Sequence, residues 1–210
     1  MSKLLSVNVG TAQHIAGYKP LTGIVKAPVA SAQIDRLGMA GDAICDRSVH
    51  GGADQAIYVY FADDYLWWAN ELGRSIEPGT FGDNLTLSGV EGRHVAIGDR
   101  FAIGSVQLEV TYHRTPCMTF AARMGDPGWV KRFHRANRPG AYCRVLTPGT
   151  VEAGMDADYL PYAGERVAVS ELMALDGARE IDPAFMRRAL ATPIREKTRF
   201  KYETRLADLF

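Results

Sequence analysis

Cys117 is the residue whose type and surroundings most favour chemistry. It follows Thr115 and Pro116, which are expected as the N-cap and a first-turn residue of a short helix, so its sulfur is expected in the first turn of that helix. Unpaired backbone N–H groups there stabilise an anion, and His113 and Arg114 would add positive charge. A thiolate at neutral pH can act as a nucleophile or as a soft metal ligand. The alternative is a small buried residue, which is the common role of a free cysteine.

A glycine-rich loop over residues 38–52 is a second candidate site. It contains His50, flanked by acidic and basic residues and followed by Gly51 and Gly52. Adjacent glycines let the backbone approach a bulky ligand, and their N–H groups can hold an anion. A turn that merely needs positive φ, with His50 hydrogen-bonded inside it, is an equally good interpretation.

The polar turn over residues 81–85 is a third candidate. Asn84 could form amide hydrogen bonds to a heterocycle. A tight turn between two strands is the simpler interpretation.

Composition excludes several classes of protein. The 210 residues carry 24 basic and 24 acidic side chains, so the formal charge is zero, which argues against a nucleic-acid polymer or a membrane as partner. No apolar run approaches the roughly 18 residues of a spanning helix. The three cysteines are widely spaced and no secretory signal is visible, which favours a cytoplasmic protein. Standard phosphate-loop, dinucleotide and zinc-protease motifs are absent.

The elements that must position these residues are mostly short strands. Alternating or β-branched runs bounded by turn residues predict strands over residues 1–10, 22–27, 55–60, 95–97, 100–103, 106–112 and 141–146. Helical spacing predicts helices over residues 62–72, 117–124 and 127–136. Closely spaced strands with glycine turns are typical of a closed or nearly closed barrel.

The composition changes near residue 165. Three helix starts follow, at Ser170, at Asp182-Pro183 and at Thr192-Pro193. We therefore predict a mainly β (α+β) fold, in which a β-barrel domain with a few short helices spans residues 1–165. Residues 166–210 are predicted to form a three-helix extension that packs on the barrel or on a partner, including a second copy of the chain.

Several of these motifs together resemble a MOSC domain, the domain found at the C-terminus of molybdenum cofactor sulfurases. The similarity is closer to the free-standing bacterial YiiM-like proteins, which confer resistance to 6-hydroxylaminopurine and also end in three helices. The motifs that carry the resemblance occur in order: Gly41-Asp42, Val49-His50-Gly51-Gly52, Phe81-Gly82-Asp83-Asn84-Leu85, Ile97-Gly98-Asp99, Arg114-Thr115-Pro116-Cys117 and Arg144-Val145-Leu146.

The resemblance implies a β-barrel that holds the molybdenum cofactor, a molybdenum–pterin dithiolene, with Cys117 as the protein ligand of the metal. It also implies two-electron reduction of N-hydroxylated bases to amines, with electrons from a separate flavin or other redox protein. His50, Asp83 and His113 are then the candidate proton donors. The expected cofactor-binding residues, several of them suppliers of contacts to its phosphate, are Lys26, Arg47, Ser48, His50, Gly51, Asn84 and Arg114.

Two other functions stay open. A cofactor carrier would keep Cys117 and the phosphate contacts but would need no electron donor. A thiol enzyme would use Cys117 as a nucleophile or as a persulfide carrier for sulfur transfer, although the chain has no pyridoxal-phosphate domain to supply the sulfur. Molybdenum content and turnover of 6-hydroxylaminopurine distinguish the three.

Overall fold

A computed structural model describes residues 2–47 and 50–209. Its strands are β1 (Lys3–Gly10), β2 (Gln13–Ile15), β3 (Tyr18–Thr22), β4 (Lys26–Val29), β5 (Ser31–Asp35), β6 (Gly38–Met39), β7 (Ile57–Phe61), β8 (Leu85–Ser88), β9 (Arg100–Ile103), β10 (Val106–His113), β11 (Ala141–Thr147), β12 (Gly149–Glu152) and β13 (Ala157–Leu160). Its helices are α1 (Ala62–Leu72), α2 (Met118–Arg123), α3 (Trp129–Ala136), α4 (Val169–Ala174), α5 (Pro183–Leu190) and α6 (Glu196–Ala207).

One large sheet dominates this mixed α/β structure. Eight strands pair in the order β13-β9-β10-β11-β7-β8-β1-β4, and a three-stranded sheet (β12-β5-β6) and the β2–β3 hairpin accompany them. All neighbours in the large sheet are antiparallel except β7 and β8, which are parallel. Helix α1 lies between those two strands in the chain, as a crossover between parallel strands requires.

The predicted closed barrel is not found in the described residues. Strand β4 pairs with Val7–Gly10 of β1, so only the first residues of that edge remain accessible to another strand. An isolated bridge between Lys3 and Asp156 brings this end of β1 beside the segment that precedes β13. The ladders therefore end at β4 and β13, and backbone hydrogen bonds of Ser2 and Leu4 with residues 154–157 link β1 to the β13 end without a further ladder.

The predicted strands are partly confirmed. Strands β9, β10 and β11 form where alternation predicts them. Residues 95–97, predicted as a strand of the same meander, instead contribute a single bridge from Ala96 to Ala168. The predicted strand over 22–27 is split, because β3 ends at Thr22 and β4 begins at Lys26.

Helix boundaries follow capping signals where these are strong. Helix α1 ends at Leu72, before Gly73 in the left-handed conformation. Asp182 caps α5 by accepting a hydrogen bond from the backbone N–H of Ala184 at 2.8 Å. The expected cap of α2 is wrong: Cys117, not Thr115, is the N-cap residue.

Two hydrophobic clusters support the fold. The main core is largely aliphatic, and most of the buried apolar residues of α4, α5 and α6 belong to it. The second cluster is aromatic and packs α1, α2 and α3 together; its rings include Tyr60, Trp68, Phe81, Phe120 and Phe133. None of the described helices has the length and the apolar character to cross a membrane.

Candidate functional site

A cleft lies at the junction of the aromatic cluster, residues 42–46 and 50–51, and the start of α2. It encloses about 830 Å³ of empty space, counted out to its open mouth and including open solvent. Of the residues predicted as site residues, the cleft is lined by Cys117, His50, Gly51, Lys26, Asn84 and Arg114.

Cys117 is half-buried at the N-terminal end of α2. Burial raises the pKa of its thiol, but a hydrogen bond with His50, the charge of Arg114 and the backbone N–H of Phe120 outweigh burial, so the pKa falls to about 6. At neutral pH the sulfur is therefore mainly a thiolate.

His50 reaches Cys117 from the glycine-rich loop. The hydrogen bond with the Cys117 sulfur is the main reason that the pKa of His50 is raised, although burial and Arg114 oppose it. The hydrogen bond and the opposite charges thus favour the imidazolium–thiolate form of the pair. Gly51 follows with a φ of 76°, and a side chain there would also meet Cδ1 of Ile44 at 2.9 Å. Glycine at this position therefore allows the loop to turn towards the sulfur.

Arg114 supplies a buried positive charge at the wall of the cleft. Its side chain is 5% exposed, and its guanidinium carbon lies 4.3 Å from the ring centroid of Phe120. In the described part of the chain, Nη1 of Arg114 is buried and has no hydrogen-bond partner. A buried donor without an acceptor is costly in an empty site, and an anionic ligand would satisfy it.

The floor of the cleft is a hydrogen-bonded group around Asp42. Its carboxylate accepts from the Lys26 ammonium, from the backbone N–H of Gly10 at 2.8 Å and from Nδ2 of Asn84 at 2.9 Å. Oδ1 of Asn84 in turn accepts from the backbone N–H of Tyr58 at 3.1 Å. Burial lowers the pKa of Lys26, and the contact with Asp42 opposes that shift. Lys26 and Asp42 form a buried ion pair, so the charge of Lys26 is already balanced before any ligand binds.

The main chains at Gly10, Gly23 and Ala43 lie in close contact beside the cleft. A Cβ atom on Gly23 would lie 2.0 Å from the carbonyl oxygen of Ala43, and one on Gly10 would lie 2.0 Å from that of Gly23. No side chain fits at either position. The segments that line the cleft are thereby held at backbone contact distance.

Two predicted proton donors lie outside the cleft lining. Asp83 is fully buried and accepts hydrogen bonds from the hydroxyls of Tyr65 at 2.6 Å and Thr86 at 2.7 Å. Burial raises the pKa of Asp83, and these hydrogen bonds oppose the shift. His113 is also fully buried, and its Nε2 lies 3.3 Å from Oδ1 of Asp176. The structure therefore places His50, and neither of these two groups, beside Cys117.

The remaining predicted contacts lie at the loop. Arg47 is exposed and does not line the cleft, and Ser48 lies outside the described residues. The sequence prediction missed Asp42, although it adjoins Gly41 in a motif that was singled out. It also missed Tyr58 and Tyr142 in the cleft lining.

The donor set suits a metal that arrives on its own organic ligand. Among the residues that the structure describes, no group of three or more His, Cys, Asp or Glu could hold a metal ion by itself. Cys117 offers one soft thiolate, and Arg114 offers an unsatisfied donor for an anionic group. These residues fit a cofactor that carries both a thiophilic metal and a phosphate.

Comparisons with known proteins agree on one family. Residues 46–157 match the family described as MOSC domain. The chain is 34% identical to the YflK protein of Bacillus subtilis over 79% of this chain and 76% of that protein. It is 28% identical to the YiiM protein of Escherichia coli over 81% of this chain and 77% of that protein. The crystal structure of YiiM from Geobacillus stearothermophilus superposes with a TM-score of 0.80 and 25% identity, covering 98% of this chain and 100% of that one.

Proposed function

Because the chain belongs to the MOSC domain family, we propose that it is a molybdenum-cofactor-dependent reductase that converts N-hydroxylated bases, such as 6-hydroxylaminopurine, to amines. The observation that carries this proposal is the Cys117 thiolate, with a pKa of about 6, in a cleft that also holds His50 and Arg114. A soft anionic ligand beside a buried cation is the arrangement that binding of this cofactor needs.

Each residue of the cleft has a part in the proposal. Cys117 would bind the metal through Sγ, and Nη1 of Arg114 would donate to an anionic oxygen of the cofactor. The amide group of Asn84, held by Asp42 and Tyr58, would orient the ligand over the floor. The aromatic side chains Tyr58 and Tyr142 would pack against flat rings.

The reaction consumes two electrons and two protons: R–NHOH + 2e⁻ + 2H⁺ gives R–NH2 and H2O. When bound, the molybdenum cofactor supplies the two electrons that break the N–O bond. The raised pKa of His50 favours a proton on its ring beside Cys117, and we assign His50 the delivery of a proton to the departing oxygen. A separate redox protein, containing flavin or another centre, would supply electrons, since three scattered cysteines cannot hold an iron–sulfur cluster.

The test begins with metal content. The wild-type chain and the Cys117→Ser variant are purified from cells that make the cofactor, and molybdenum per chain is measured. We expect molybdenum in the wild type and its loss in the variant. Cys45→Ser is the matched control, because Cys45 is an exposed cysteine that lines the same cleft; this variant should retain the metal.

Turnover is measured next, with 6-hydroxylaminopurine and a chemical reductant. Formation of adenine by the loaded wild type supports the reductase. Molybdenum without turnover would show a cofactor carrier instead. A chain that contains no molybdenum but carries a persulfide on Cys117 would show sulfur transfer and would overturn the proposal.

A further inference from the structure

Helices α4 to α6 contact both chain segments that carry the candidate site. Most of their buried apolar residues pack into the main core, which by itself would make them a structural support. Two groups of polar contacts, called junctions below, also connect these helices to the site. One lies at the end of the loop that carries His50, and the other lies just before Cys117.

The first junction is centred on Asp54, four residues after His50. Its Oδ1 accepts from Nε and Nη2 of Arg144 at 3.1 and 2.8 Å. Its Oδ2 accepts from the backbone N–H of Glu196, the first residue of α6, at 2.7 Å. Nη2 of Arg144 also donates to the carbonyl oxygen of Pro193 at 3.2 Å. One carboxylate thus joins the loop, β11 and the start of α6.

The second junction is centred on Asp176, which follows α4. Its Oδ1 lies 3.3 Å from Nε2 of His113, a side chain with no exposed surface. Its Oδ2 accepts from the hydroxyl of Thr115 at 3.2 Å. This carboxylate therefore holds the chain on the approach to Cys117.

The arrangement has a mechanical consequence. His50 and Cys117 are 67 positions apart in the sequence, and their hydrogen bond depends on where the two segments are held. Each segment is anchored within four residues of its functional side chain, and both anchors lead to the same group of helices.

We propose that Asp54 and Asp176 are positioning residues, through which helices α4 to α6 hold His50 against Cys117. The proposal rests on the proposed function only because it takes His50 and Cys117 as the reacting site. The position of the loop itself can be measured in the protein without cofactor.

The experiment compares Asp54→Asn and Asp176→Asn with the control Glu203→Gln. Glu203 lies on α6 and pairs with Arg199 at 3.9 Å on the surface, so the control removes a charge from the same helices without touching either junction. Backbone amide exchange is followed by mass spectrometry under native conditions. In Asp54→Asn, exchange over residues 50–56 should rise about tenfold while exchange in β10 stays constant. In Asp176→Asn, amide exchange should rise by a similar factor over residues 117–121.

Loaded enzyme gives the second readout. In Asp54→Asn we expect kcat to fall about fivefold with KM within about twofold, because a displaced proton donor impairs the reaction more than binding. Asp54→Ala should be worse, since asparagine retains an oxygen that can accept from the Glu196 N–H. Glu203→Gln should match the wild type in both measurements.

The proposal fails if exchange over residues 50–56 and 117–121 matches the wild type, or if it rises equally across the whole sheet. Either result would show that α4 to α6 only stabilise the fold. Absence of reductase activity in the wild type would instead overturn the proposed function, and the exchange measurements would still decide the positioning role.

Discussion

The cleft and the main core each contain a cysteine, and the two regions change its acidity in opposite directions. Cys143 lies on β11 with no exposed surface, where burial and then the charge of Glu109 raise the pKa of its thiol well above the usual range. Cys117 is half-buried, yet its pKa falls to about 6 because His50 and Arg114 outweigh burial. Burial alone therefore does not decide the chemistry of a thiol. The charged and hydrogen-bonding neighbours that a region provides decide it.

Removal of each sulfur in turn tests the difference between Cys117 and Cys143 most directly. Cys117→Ser should lower molybdenum-dependent turnover by at least about 100-fold with little change in Tm, because an alcohol is a poor ligand for a soft metal. Cys143→Ser should preserve turnover per folded chain but cost about 1–3 kcal/mol of stability, because it places a hydroxyl in the core. Turnover and thermal unfolding measure the two effects. If both variants lost only stability, the assignment of Cys117 would be wrong.

The acidity difference can be measured directly in cofactor-free protein. The thiolate of Cys117 exists above its pKa of about 6, so its alkylation by iodoacetamide should rise with pH and level off near neutrality. From pH 5 to pH 7 the rate should increase about tenfold, as the thiolate fraction does. The experiment uses a Cys45→Ser background, and native Cys143 should stay unlabelled. A midpoint near pH 8.5 would contradict the described site.

Removing His50 tests the main favourable influence on Cys117. His50→Ala should slow alkylation of Cys117 at pH 6.5 by about threefold to tenfold, because the thiolate loses its hydrogen-bond donor. The pH midpoint of Cys117 alkylation should rise above about 6 but stay below that of a free thiol, because the charge of Arg114 remains. His94→Ala is a suitable control, because His94 is exposed and pairs only with nearby Glu91 among the described side chains.

Two core substitutions give the smallest expected effects and compare the hydrophobic clusters. Phe120→Leu removes the ring beneath Arg114 and should lower both stability, by about 1–2 kcal/mol, and alkylation of Cys117, by about twofold. Val110→Ala in the main core should cost about 1–3 kcal/mol and leave alkylation unchanged. Equal effects on alkylation would show that the aromatic cluster has no special connection with the site.

Alternation along the chain explains only in part which site residues the sequence could and could not identify. Asn84 faces the cleft, while its neighbour Asp83 faces the interior; Arg114 faces the cleft, while His113 faces Asp176. Successive side chains of extended backbone point to opposite sides, and β10 ends at His113, so alternation explains why Arg114 and not His113 lies in the cleft lining. Asp83 and Asn84 lie in the turn before β8, where this alternation does not apply. The motifs indicated both segments but not which member of each pair enters the cleft.

The helices and strands likewise divide into those that local sequence signals predict and those that they do not. Local signals predicted α1 and α5, because glycine after one helix and Asp182 before the other determine their ends. The pairing of β12 with β5 joins residues such as Thr150 and Gln33, which are far apart in the sequence. Short strands of this kind carry little periodicity of their own, and their partners are set by the tertiary structure. The open order of the large sheet was missed for the same reason.

The main-chain contacts among Gly10, Gly23 and Ala43 restrict how this cleft can diversify. These contacts leave no room for a side chain at Gly10 or Gly23. Ligand selectivity among variants must then change through other side chains of the lining, such as Gln55 and Thr119. A chain with a larger residue in place of Gly23 would have to move the main chains at Gly23 and Ala43 apart, and the shape of its cleft would change.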